Sequence, residues 1–187
     1  MPTTEPSKQT MSEAEVSLLL AIHLISSERA SSDVQVALDG AQVKIGDNHH
    51  FNVVEFMQAR DWQQEQASDR WQCKYTNAKF NRSIVVHSQS GQGDVTAELG
   101  NGESLLVESK KGTLTNSKSS SEYPLIREAI GQLITLENIP AKVQLAVAVP
   151  HGERFVKLAM RWRNAPLILR TGILLLTVSP TGEVDGW

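Results

Sequence analysis

The residues of this chain whose types and spacing could do chemistry are Asp94, Glu108 and Lys110. Asp94 follows Gly93 at the head of an alternating stretch, and Glu108-Ser109-Lys110 closes the apolar run Leu105-Leu106-Val107. Hydrolysis of a phosphodiester needs an in-line water, neutralisation of a pentacovalent oxyanion and help for the leaving oxygen. Carboxylates are hard oxygen ligands, and Mg²⁺ takes one or two of them while keeping several waters. Asp94 and Glu108 are thus candidate ligands for Mg²⁺, with Mn²⁺ as the alternative ion. Lys110 is the candidate for orienting or deprotonating the attacking water and for offsetting developing charge.

Spacing gives these residues a common location. Asn101-Gly102 between two strand-like stretches reads as a tight turn. Closing a hairpin there puts residues with an index sum near 203 opposite each other, so Asp94 falls near Ser109 and Glu108 becomes its diagonal neighbour. Glu108 and Lys110 are two apart and share one face of the strand, while Ser109 points to the other. The bland alternatives are a same-face ion pair at a strand end for Glu108 and Lys110, and a turn cap for Asp94.

With these residues in view, the segment resembles the PD-(D/E)XK nuclease superfamily over residues 84–150, and more loosely outside them. In that pattern an acid begins one strand and an acid-any-lysine triplet lies on the next. Asp94 matches the first acid, Glu108 the second and Lys110 the lysine; Gly93 stands where the motif name has proline. The helix after the triplet often carries a glutamine near the site, and Gln132 matches it, while Leu136 stands where some subfamilies have an aromatic residue. The resemblance implies an α/β protein with a restriction-endonuclease-like αβββαβ core, a mixed central sheet flanked by helices. It further implies Mg²⁺-dependent hydrolysis of DNA, with DNA as partner. The small size and the lack of a visible recognition module point to a component of a larger defence, repair or mobile-element system, and double-strand cutting would be explained by a homodimer. Many members draw a further acid from the first helix, for which Glu13, Glu15 and Glu28 are the candidates. The competing reading is a catalytically silent nuclease-like module that binds nucleic acid or another protein.

The elements that must position these residues follow from patterning. Residues 1–11 read as a disordered tail and 12–187 as one domain. Ser12 with Glu15 forms a capping box, and Val16, Leu19, Leu20, Ile22 and Leu24 give a helix through about Arg29. Val34, Val36 and Leu38 alternate, and Asp39-Gly40 followed by Val43 and Ile45 predicts a β-hairpin. Phe51 to Trp62 fits a strand or a short helix. Trp71, Cys73 and Tyr75 alternate, Ile84 to Val86 and Asp94 to Leu99 read as strands, and Ser104 to Ser109 as the strand bearing the triplet. After a polar loop over 111–120, Ser121 and Pro124 mark a helix with Leu125, Ala129, Leu133 and Leu136 on one face. Val143 to Val149 is a buried strand, Phe155, Leu158, Ala159 and Trp162 lie on a helix, and Ile173 to Val178 is a final strand.

Bulk properties set the frame. A chain of 187 residues with 40% apolar content and mean hydropathy −0.25 can build a real core. One cysteine, Cys73, excludes an intramolecular disulfide and fits a reducing compartment, the cytoplasm. The run Leu18 to Ile25 is broken by His23 and follows Glu13 and Glu15, so it predicts neither a signal peptide nor a membrane span. The net charge of −3 argues against a general nucleic-acid coat, yet residues 1–103 hold 8 basic and 14 acidic side chains and residues 104–187 hold 10 and 7. The basic excess follows the triplet, where Lys111 and Lys118 can meet phosphates. His49-His50 near Asp47 reads as a surface pair, and Trp62, Trp71 and Trp162 as core or sheet-face residues.

Overall fold

The computed structural model describes residues 10–45, 48–68, 70–89, 91, 93–115, 122–139 and 141–187. Of the expectations above, the tail over 1–9, Asp47, Lys118 and Ser121 lie outside the described residues, as does the His49 side chain. The chain opens with strand β1 (Thr10–Met11) and helix α1 (Glu13–Ser26). Strand β2 (Val34–Ala37) leads into short elements: α2 (Gly40–Val43), β3 (Lys44–Ile45), β4 (Asn48–His49), α3 (Val53–Gln58), β5 (Gln63–Gln64) and β6 (Lys74–Thr76). Strands β7 (Ile84–His87), β8 (Val95–Glu98) and β9 (Ser104–Ser109) follow, then β10 (Gly112–Thr113) and α4 (Glu122–Ile134). The chain ends with β11 (Val143–Pro150), α5 (Glu153–Arg163), α6 (Pro166–Thr171), β12 (Leu174–Val178) and β13 (Val184–Asp185).

Nine strands form one mixed sheet in the order β13-β12-β11-β9-β8-β2-β7-β6-β5. Strands β2, β5, β7, β9, β11 and β12 run in one direction; β6, β8 and β13 run against them. The protein is therefore α/β, with a mixed sheet flanked by helices.

Each face of the sheet has its own core, set by the period-2 alternation of the strands. Leu105, Val107, Ala146, Ala148, Val34 and Val36 face α1, whereas Leu106, Val147, Val149 and Leu175 face α4 and α5. A strand buried on both faces reads as a continuous apolar run, which is why Leu105-Leu106-Val107 has no polar interruption. The small side chains of Ala146 and Ala148 lie on the α1 side, where they give a bulky helix room. Helix α1 is buried nearly all round, with Val16, Leu18, Leu20, Ala21 and Leu24 at 0% exposure, and a helix apolar on every side belongs in an interior. Each buried Leu or Val contributes about 1.5–3 kcal/mol through lost water contact. The Ser12 capping box forms as expected: Glu15 N–H donates to Ser12 Oγ, and Ser12 N–H to Glu15 Oε2.

Four local expectations need correction. The hairpin predicted after Val34–Leu38 does not form. Asp39 Oδ1 instead accepts from Ala41 N–H and starts the helical turn α2, and β2 takes β7 and β8 as its neighbours. Thr10 and Met11, placed at the end of the tail, pair with Thr113 and Gly112, and Met11 is buried. Helix α1 stops at Ser26, because the Ser26 and Ser27 hydroxyls bond back to the His23 carbonyl and Glu28 turns left-handed at φ 59°. The β8–β9 ladder pairs Val95 with Val107 and Glu98 with Ser104, an index sum of 202 in place of 203. Helix α6 and strand β13 have no counterpart in the patterning. Among the described residues, no helix is long and apolar enough to cross a membrane.

Candidate active site

The carboxyl ends of the six co-directional strands share one edge of the sheet. In open α/β sheets this is the edge where ligands bind. Asp94 enters the same edge from the other direction, since β8 begins there.

Asp94 is held from both neighbouring strands. Its N–H donates to the Val107 carbonyl at 2.8 Å, its carbonyl accepts from Ala37 N–H at 2.8 Å, and its Oδ2 accepts from Ser109 N–H at 2.7 Å. Gly93, just before it, has φ +81°, a backbone state closed to proline, whose ring fixes φ near −65°. A Cβ at Gly93 would stand 2.9 Å from the Val107 carbonyl oxygen. The glycine in place of the motif's proline is thus required by the route of the chain.

Glu108, next to last in β9, lines one cleft with Asp94 and Gln132. The cleft encloses about 330 Å³, and its walls include Asp39, Ser88 and Gln89. Three of the four expected site residues therefore meet in a single opening: Asp94 and Glu108 from adjacent strands, Gln132 as an exposed side chain of α4. Lys110, two residues beyond Glu108, is buried, and its Nζ lies 3.3 Å from Glu128 Oε1 on α4.

The electrostatics tie these groups together. Burial pushes the Asp94 carboxyl up to about 6; the Ser109 N–H and Lys110 oppose the rise and Glu13 adds to it. Burial also lifts Glu108 to about 7, with the Asp94 charge next in size, Lys110 opposing, and Glu13 and Glu128 adding smaller pushes. Desolvation and a like charge both disfavour ionisation, and a bound cation would reverse both effects.

The same interactions rank the first-helix acids. Glu13, in the first turn of α1, acts on both carboxylates. Glu15 is engaged in the capping box with Ser12. Glu28 lies past the other end of α1, in the wall of a separate hollow with Ile25, Phe80 and Arg82. Asp39 and Glu128 escape the sequence reading. Asp39 carries the composition of a turn, and Glu128 becomes visible only when Lys110 is seen to turn toward α4. Among the described residues no three His, Cys, Asp or Glu side chains gather as a metal cage. The two carboxylates nonetheless fit Mg²⁺, a hard ion that needs only one or two and fills its remaining positions with water. Comparison of the chain with family models, with curated proteins and with solved structures finds no match.

Proposed function

We infer that the protein is a Mg²⁺-dependent nuclease that hydrolyses DNA phosphodiester bonds, built on a restriction-endonuclease-like core. The observation that carries this reading is the convergence of Asp94 and Glu108 on one cleft, where the Asp94 charge raises the proton affinity of Glu108, with Lys110 two residues away. The element order supports it: α1, then β2, β8 and β9 as antiparallel neighbours, then α4, then β11 parallel to β9. Read in this way, the residues between β2 and β8 are an insertion into an αβββαβ core.

Asp94 and Glu108 would hold the ion. When bound, Mg²⁺ polarises a phosphoryl oxygen and lowers the pKa of a bound water. Asp94 offers Oδ1, since Oδ2 is taken by Ser109 N–H. Lys110 orients the attacking water and offsets the charge gathering on the phosphate, and Glu128 steadies its ammonium before substrate arrives. Gln132 donates a hydrogen bond to the scissile phosphate or to the water from the α4 wall of the cleft. Purified protein incubated with linear, circular and branched DNA, in Mg²⁺ or Mn²⁺ against chelator, tests the reading. Metal-dependent cleavage that drops about 10²-fold in Lys110→Ala supports it; equal cleavage by that variant sinks it.

One observation favours a silent binding module instead: Met160, Leu167 and Leu169 on α5 and α6 are 60–70% exposed. Thermal stabilisation by Mg²⁺ that vanishes in Asp94→Ala would decide for the enzyme. Salt-sensitive DNA binding indifferent to metal would decide for the module.

A further inference from the structure

We propose that the cavity beside the candidate active site is a nucleobase pocket, which takes an unpaired base of the strand whose phosphate lies at Asp94 and Glu108. The proposal rests on the nuclease reading above. The cavity encloses about 770 Å³, within the range of small-ligand sites. Met11, Phe51, Pro124 and Leu125 supply its apolar wall, and the exposed His50 and Lys111 its polar rim.

Two chain adjacencies join the cavity to the site. Lys111, on the rim, follows Lys110, and Ser12, in the wall, precedes Glu13. Consecutive residues are 3.8 Å apart at Cα, so the cavity opens one residue from two of the site's charged groups. A strand leaving the carboxylates passes Lys111, whose ammonium matches the next phosphate in charge. The adjoining base then meets the Phe51 ring. That ring is braced by Phe56 at a centroid distance of 5.1 Å, and Phe56 in turn carries the Arg60 guanidinium at 3.7 Å.

The lining thus offers one aromatic ring, Phe51, and one lysine at the lip, Lys111, beside the Glu15 carboxylate. A ring with a cation near it binds single strands without regard to sequence, because every base has a stacking face. A base inside a duplex cannot reach such a wall unless it is flipped out. With a net charge of −3 the chain has little general hold on a duplex through phosphates alone. The pocket therefore selects DNA that carries an unpaired nucleotide next to the cleaved bond: a single-stranded extension, a flap or a branch.

Binding is measured in chelator, so that cleavage plays no part, from the fluorescence of 2-aminopurine at one position of an oligonucleotide, single-stranded or in duplex. The expected result is quenching and tighter binding for the single strand. Phe51→Ala should weaken it about tenfold, the size of one lost base–aromatic stack. Phe51→Leu, which keeps the apolar packing without the ring, should lose the same quenching. Lys111→Ala should make the salt dependence shallower by about one phosphate contact. Equal binding of single strand and duplex, or unchanged quenching in Phe51→Leu, overturns the pocket. Metal-dependent cleavage by wild type alongside unchanged Phe51→Leu binding means the pocket fails and the nuclease reading survives. Ring-dependent quenching with no cleavage of any DNA means the reverse.

Discussion

The backbone N–H of Ser109 donates to Asp94 Oδ2 across 2.7 Å, so the residue between Glu108 and Lys110 fixes the carboxylate on the neighbouring strand. The bond comes from the main chain, and the Ser109 side chain plays no part in it. That side chain is fully buried, and its Oγ has no hydrogen-bond partner among the described residues. Ser109→Ala should therefore leave the proposed nuclease activity near wild type and keep or raise stability, by up to about 1 kcal/mol, because it removes an unpaired buried hydroxyl. Urea unfolding alongside a cleavage assay checks both halves. A large loss of activity would mean that the hydroxyl, not the backbone, organises Asp94.

Acidity offers a second test. The usual values for Asp94 and Glu108 are 3.8 and 4.5, and in the folded chain they stand at about 6 and about 7. Across that interval the folded state binds more protons than the unfolded one. Its stability is greatest below the usual values and is lost as pH rises through the folded ones. Metal-free protein should accordingly lose melting temperature between about pH 4 and pH 7 through these groups. On the proposed reading Mg²⁺ would bind the ionised carboxylates, so its stabilising effect should grow over the same span. In Asp94→Asn the Glu108 step should move to lower pH, since one of the charges raising it is gone. Thermal melts at pH 5 and pH 8, in Mg²⁺ and in chelator, read this directly, and a Mg²⁺ effect independent of pH would contradict it.

The three acids of the first helix region should separate cleanly. Glu13→Gln should reduce metal affinity or activity about tenfold, in line with groups that tune metal ligands from behind. Glu15→Ala should instead cost about 1 kcal/mol of stability by opening the capping box, with cleavage retained. Glu28→Gln should change neither. Kinetics and denaturant midpoints on the three variants distinguish these outcomes.

Gly93→Ala should be damaging out of proportion to one methyl group. A left-handed φ of +81° costs an alanine about 1–2 kcal/mol. The new Cβ would also press on the Val107 carbonyl, the acceptor of the Asp94 N–H. Lower stability should come with weaker stabilisation by Mg²⁺, as Asp94 shifts off Ser109. Calorimetry with and without Mg²⁺ measures both effects.

Legibility in the sequence tracked how local the determining physics is. Strand β9 was readable to its ends, because an apolar run between a tight turn and a charged triplet admits one interpretation. The Ser12–Glu15 capping box and the α5 stripe of Phe155 and Ala159 were readable for the same reason. Asp39-Gly40 misled because an Asx side chain that closes a hairpin turn can equally cap a helical turn. What decided between them was β2 docking between β7 and β8, strands about fifty residues or more downstream. Strand β5 is two residues long, too short to show a period, and of the alternation at Trp71, Cys73 and Tyr75 only Tyr75 falls within β6. At the site, Asp94 and Glu108 were legible as a strand pair, whereas Lys110 turning to Glu128 and Asp39 entering the cleft are tertiary events without a local signature.

The turn at Asn101 and Gly102 is exposed and lies at the far end of β8 and β9 from the carboxylates. A chain opened there would carry Asp94 on one fragment and Glu108 with Lys110 on the other. Neither piece holds both carboxylates of the proposed ion site, and zipping the two strands together would rebuild it. The hairpin thus works as a two-key lock, in which restored activity would report that the halves have found each other.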